Sequence, residues 1–82
     1  MPSITFKKSV AKDLRKLRKE IRKRIFSKIV EDLSDHPLDY PELIGKFAGL
    51  RKYRVGDYRV IYAVLDEQVV ITRIAHRKQA YD

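Results

Sequence analysis

Eighty-two residues suffice for one hydrophobic core and not for two, because a chain of this size buries only about 60–65% of its unfolded surface, so residues 1–82 read as a single domain. The absence of cysteine excludes a disulfide framework and a thiolate zinc site, and the lack of an apolar run near the ~18 residues of a membrane span, or of a leader pattern, leads us to expect a cytoplasmic protein. Nineteen Lys and Arg against eleven Asp and Glu give a formal net charge of +8 and a pI near 9.9, a field that favours polyanions such as nucleic acid, an acidic protein or an anionic membrane.

Ser3 to Phe6 fits a short edge strand, with Ser9 after it as a candidate N-cap. Val10, Leu14, Leu17, Ile21, Ile25, Ile29 and Leu33 then recur at intervals of three and four, and Phe26 and Val30 widen this apolar stripe. The periodicity predicts either one long helix or a hairpin of two helices breaking near Leu17 to Lys19. Eleven basic residues and only two acids lie between Lys7 and Lys28. We read these cations as the solvated face of an amphipathic helix, with phosphate contact as the minority reading.

Ser34-Asp35-His36-Pro37 ends the helical region, since the residue before a proline is pushed out of the α basin. Between Glu31 and Glu42 stand five acids and no Lys or Arg, so the basic surface is segregated. Pro41, Gly45 and Gly49 mark an irregular connection, and His36 and Tyr40 read as its loop residues.

Leu50 to Val55, Tyr58 to Leu65 and Val69 to Ala75 read as strands, separated by turns at Gly56-Asp57 and Asp66-Glu67-Gln68. The expected architecture is α+β, with helices packed on one face of an antiparallel sheet of three to four strands. A two-residue loop at Gly56-Asp57 sets Val55 opposite Tyr58 and Arg54 opposite Arg59. Lys52, Arg54 and Arg59 then share one face, while Tyr53, Val60, Tyr62 and Val64 share the other, which is the core. Like charges opposite each other are mildly destabilising, a local conflict that an anion relieves. A three-residue loop over Asp66 to Gln68 would keep Arg73 on the charged face and Ile74 in the core, whereas a two-residue loop would bury Arg73 at a cost. His76, Arg77, Lys78 and Tyr81 follow on a short tail that can curl toward the cluster, with Tyr81 available to stack on a base. Ordinary solvated surface is the competing reading of these cations. No Gly-rich phosphate loop, paired-carboxylate arrangement or nucleophilic triad is evident, and the two His residues are far apart, which argues against metal hydrolysis and nucleoside triphosphate binding.

The run LIGKFAGLRKYRVGDYRVIY from Leu43 to Tyr62, the segment AHRKQAY from Ala75 to Tyr81 and the helical stretch KEIRKRI resemble the RelE/ParE superfamily of toxin–antitoxin toxins. The resemblance covers nearly the whole chain. It implies an N-terminal strand and a helical hairpin on an antiparallel sheet, and hence a helix break. It also implies a ribosome-dependent, metal-independent and cofactor-free mRNA endonuclease, with mRNA, the ribosome and a cognate antitoxin as partners. The alternatives it leaves open are a gyrase inhibitor of the ParE type and a non-catalytic basic RNA-binding module.

The positions that match the family's catalytic pattern are Lys52, Arg54, Arg59, Arg77 and Tyr81, with His76 before the Arg as in several relatives. The implied chemistry is attack of the substrate's own 2′-hydroxyl on the adjacent phosphorus. Lys52 would act as base, and Arg59 and Arg77 would hold the phosphoryl oxygens. An always-protonated Arg is a poor proton donor, so His76 is assigned the leaving group. Lys46, Arg51, Arg73 and Lys78 are the candidate RNA-binding cations around this set.

Overall fold

Alternating apolar and charged side chains in the last third of the chain form three successive strands in the computed structural model, which describes residues 3–78. These are β2 (Leu50–Val55), β3 (Tyr58–Leu65) and β4 (Gln68–His76). Ahead of them come β1 (Ser3–Phe6), helices α1 (Val10–Arg15) and α2 (Lys19–Lys28), and a π-helical turn, Ile29–Leu33, that continues α2. The α+β architecture is as expected. The sheet has the order β1-β4-β3-β2 and is mixed rather than antiparallel, because β1 runs parallel to β4, Ser3 beside Gln68 and Phe6 beside Ile71. Such pairing requires a long crossover, and the intervening helices and strands provide it.

Gly56, at φ 60°, turns the β2–β3 hairpin and sets Arg54 opposite Arg59. The β3–β4 loop differs from the expected three residues: Leu65 pairs with Gln68 across Asp66-Glu67, and Asp66 takes a left-handed φ of 55°. That loop alone would place Arg73 opposite Val60, inside the core. Thr72 prevents this by standing as one extra residue in β4, so Tyr62 pairs with Ile71 but Ile61 with Arg73. Its hydroxyl donates to the Ile61 carbonyl at 3.1 Å. The bulge restores the phase, burying Ile74 and leaving Arg73 exposed.

The helical segment breaks at Lys16 to Arg18, where Arg18 is extended. Arg22 reaches back from α2 and donates to the Leu14 carbonyl at 3.3 Å, which also accepts the Leu17 N–H at 3.1 Å, and to the Leu17 carbonyl at 3.1 Å, tying α2 to the end of α1. One of the cations expected on the solvated face therefore has a structural task. Ser9 makes no side-chain capping bond and is itself α-like. Beyond the last residue of β1, α1 lies against β4, and Asp13 accepts the backbone N–H of Ile74 at 2.9 Å. A carboxylate thus takes the place of a neighbouring strand's carbonyl.

Val10, Ile25, Ile29 and Leu33 from the helical stripe meet Tyr53, Val55, Val60, Tyr62, Val69, Ile71 and Ile74 in one core. Phe26 joins its margin by an edge-to-face contact with Phe6 at 5.1 Å, whereas Val30 is exposed. Two tyrosines tie this layer to the chain between helix and sheet. Tyr53 is hydrogen-bonded to the Lys28 carbonyl, where α2 widens into the π-helical turn, and to the Asp32 carboxylate. Tyr40, expected in the loop, packs edge-to-face on Tyr53 at 4.9 Å. The Tyr62 hydroxyl donates to the Pro37 carbonyl at 2.6 Å. Burial, partly offset by nearby Arg51, pushes the Tyr62 hydroxyl up to about 12.

Deleting Thr72 takes out the bulged residue but leaves Ile71 opposite Tyr62 and Arg73 opposite Ile61, so Arg73 stays outside the core. We expect a loss of only about 1 kcal/mol in urea unfolding, the scale of the lost Thr72 hydroxyl bond. Tyr62→Phe costs about 1 kcal/mol at neutral pH. The stability that depends on neutral Tyr62 is present below about pH 10, its ordinary value, and is lost as pH rises toward about 12, because there the unfolded chain releases a proton that the folded one retains. The Tyr62→Phe variant should show a shallower alkaline fall in its urea midpoint.

Candidate nucleic-acid interface

With the helices covering one side of the sheet, strand alternation sends Lys52, Arg54, Arg59 and Arg73 to the other. Arg54 lies directly opposite Arg59, Lys52 opposite Ile61, and Ile61 in turn opposite Arg73. Lys52 and Arg59 are half-buried, while Arg54 and Arg73 are exposed. Arg73 Nε lies 3.9 Å from the Asp13 carboxylate. Beside the cations lies a hollow lined by Leu43, Phe47, Leu50, Ile61 and Thr72, so the face combines apolar surface with positive charge. Lys46 sits exposed on a 3-10 turn, Gly45–Phe47, at the margin, its ammonium 5.4 Å from the Phe47 ring centre.

Arg77 emerges just past β4, where its backbone N–H donates to the Asp57 carbonyl at 2.8 Å. Its guanidinium Nε stands 3.9 Å from the Asp57 carboxylate, and both side chains are largely exposed. The β2–β3 turn thus fixes the start of the tail. Lys78 is exposed beside it, with its N–H 3.3 Å from His76 Nδ1. Tyr81 lies outside the described residues.

Two expected site residues are placed elsewhere. Arg51 shares the face of Tyr62, opposite which it pairs. Its guanidinium donates to the Tyr40 carbonyl at 2.7 Å and the Leu38 carbonyl at 3.4 Å, and meets Glu42 at 3.4 Å. It pins the connection between helix and sheet rather than reaching out for RNA. His76 pairs with Tyr58, and their rings meet edge-to-face at 5.4 Å. Tyr58 packs against the core, so His76 belongs to the helix-bearing side, in a recess with Asp13, Lys16 and Leu17. The alternation that turns Lys52 and Arg54 outward turns Arg51 inward, and burial of Ile74 predicts the same for His76. Asp57, by contrast, was singled out only as a turn residue, and its contact with Arg77 joins segments twenty residues apart.

This face can bind polyanions. Four cations on one sheet surface, two of them paired across strands, repel one another, and phosphate groups relieve the repulsion while accepting their hydrogen bonds. Among the described residues, no group of three or more His, Cys, Asp or Glu is placed to hold a metal ion.

Comparison with known proteins agrees with the fold. The family profile for the ParE toxin of type II toxin–antitoxin systems, parDE, matches residues 4–81. Toxin RelE3 of Methanocaldococcus jannaschii is 36% identical, over 96% of this chain and 94% of the relative. Among solved structures, the RelBE2 toxin–antitoxin complex of Mycobacterium tuberculosis contains a chain that superposes with a TM-score of 0.86 at 33% identity, covering 94% of this chain and 100% of that one. A chain of the RelB–RelE antitoxin–toxin complex of Methanococcus jannaschii matches with a TM-score of 0.70 at 30% identity, covering 95% of each.

Substitution separates the structural from the solvent-facing arginine. Arg51→Ala should cost about 1–3 kcal/mol in thermal or urea unfolding, because it orphans the carbonyls it now satisfies. Arg54→Ala should leave stability unchanged or slightly raised, yet weaken binding of a single-stranded RNA oligonucleotide and reduce the salt dependence of that binding by about one phosphate contact, a slope change near 0.7.

Proposed function

Because the chain belongs to the RelE/ParE family of type II toxin–antitoxin toxins, we propose that it is a metal-independent endoribonuclease that cuts mRNA on the ribosome. The observation that supports this reading most is the gathering of Lys52, Arg54 and Arg59 on the uncovered sheet face, with Arg54 directly opposite Arg59. A protein that only docks through its surface has no need of such a conflict.

In this reading Lys52 takes the proton of the substrate's 2′-hydroxyl. The 2′-oxygen bonds to the adjacent phosphorus and the bond to the 5′-oxygen breaks, giving a cyclic phosphate and a free 5′-hydroxyl. Arg54, Arg59 and Arg77 face the growing negative charge, which fixed cations stabilise. The location of His76 on the helix side removes it from this sequence, so the departing 5′-oxygen takes its proton from solvent. Tyr81 is proposed to stack on a base, and Arg73, Lys46 and Lys78 to hold the flanking backbone. The proposed partner, besides mRNA and the ribosome, is a cognate antitoxin, by analogy with the RelBE2 and RelB–RelE toxin–antitoxin complexes, for which the cationic face is our proposed docking surface, and the proposed location is the cytoplasm.

The second reading, gyrase inhibition, is favoured by the ParE description of the matching family. Primer extension on a defined mRNA, with and without ribosomes, separates the two. Lys52→Ala should slow cleavage by about 100-fold or more, the scale of a lost general base, and Arg59→Ala should lower it similarly. Absence of any cut at every protein level, with ribosomes present, would end the nuclease reading, and a gyrase supercoiling assay would then be the deciding one.

A further inference from the structure

We infer that Asp57 is a positioning residue for Arg77, holding its guanidinium at the β2–β3 turn end of the cationic face so that it meets the same phosphate as Arg59. This inference rests on the proposed role of Arg77 in cleavage. The two residues form a two-point contact: the backbone N–H of Arg77 donates to the Asp57 carbonyl at 2.8 Å, and Nε lies 3.9 Å from the Asp57 carboxylate. Asp57 is two residues from Arg59 along the chain, and Ala75, opposite Arg59, is two residues from Arg77. Arg77 therefore enters diagonally beside Arg59, roughly 7 Å away along the strand direction.

Charge and exposure decide what this contact does. Among the described residues, Asp57 is the acid at this end of the hairpin, while Asp66 and Glu67 lie at the opposite end of β3. Without it, Arg54 would repel Arg77 from the face where it is needed. The side chains are 59% and 65% exposed for Arg77 and Asp57, so the ion pair adds little to folding. Its effect is to narrow the rotamers of a long, exposed side chain before substrate arrives. The backbone bond is independent of residue 57's side chain, so a substitution there isolates the orienting effect. Because the pair is open to water, an incoming phosphate replaces the carboxylate at little cost, and the guanidinium changes partner without changing place.

The test pairs cleavage with a direct view of Arg77. Single-turnover mRNA cleavage on programmed ribosomes, measured against protein concentration, should be about 2- to 5-fold slower at saturation in Asp57→Asn, the scale of an exposed ion pair. Its half-saturating concentration should be unchanged, and Asp57→Glu should restore part of the rate. Asp57→Asn combined with Arg77→Ala should be no slower than Arg77→Ala alone, because Asp57 acts through Arg77. In the free protein, NMR relaxation of the Arg77 Nε–H group should show it ordered in the wild type and mobile in Asp57→Asn. A wild-type or faster rate in Asp57→Asn, or additive losses in the double variant, would overturn the inference. So would equal Arg77 mobility in both proteins, and that readout holds even if the wild type cuts no RNA, in which case the nuclease reading fails separately.

Discussion

The phase of the three long strands governs everything on the open face. Side chains alternate across a strand, so a slip of one residue turns every later one over. The two-residue loop at Asp66-Glu67 would carry Arg73 into the core and Ile74 out of it, and Thr72 absorbs the mismatch as a bulge. The cost of burying a guanidinium exceeds that of one disrupted rung in a ladder, especially where the bulged residue's own hydroxyl bonds across the strands. The same correction carries Ala75 to its place beside Arg59 and Arg77 to its place beside Asp57.

A second constraint is the attachment of one layer to the other. The helical segment does not run through as a single rod: it breaks before α2, widens into a π-helical turn at Ile29 and ends against the loop around Pro37. At each of these points a side chain supplies a missing bond. Arg22 serves the end of α1, Tyr53 the junction at Lys28, and Tyr62 and Arg51 the connection that follows. These bonds are partly buried, where an unsatisfied carbonyl costs most. They hold the helices on one side of the sheet and leave the other side for charge.

The open face gathers like charges that do not favour folding. A directly opposed arginine pair, with Lys52 and Arg73 on the same surface, works against the folded state in the absence of an anion. A neutral or acidic substitution there would suit folding better. Under the proposed cleavage of mRNA the anion is nucleic acid, and the adjoining apolar hollow would give room for bases beside phosphates. Cations on the helices are of a different kind, since some, such as Arg22, are committed to backbone carbonyls.

Strand limits, the Gly56-Asp57 turn, the Arg54–Arg59 pairing and the helical stripe were legible in the amino-acid sequence, because each rests on neighbours within a few residues. The same local alternation carries the inward direction of Arg51 and His76, although their charge and their place in a basic motif argue for the opposite side. The parallel pairing of β1 with β4, the bulge at Thr72, the capping of α1 by Arg22 and the contact between Asp57 and Arg77 depend on partners far away in the chain. Sequence by itself determined which residues alternate and which cluster by charge. Only the tertiary structure decided which cations face solvent and which are consumed by backbone carbonyls, because that choice depends on which acceptors folding leaves unsatisfied nearby.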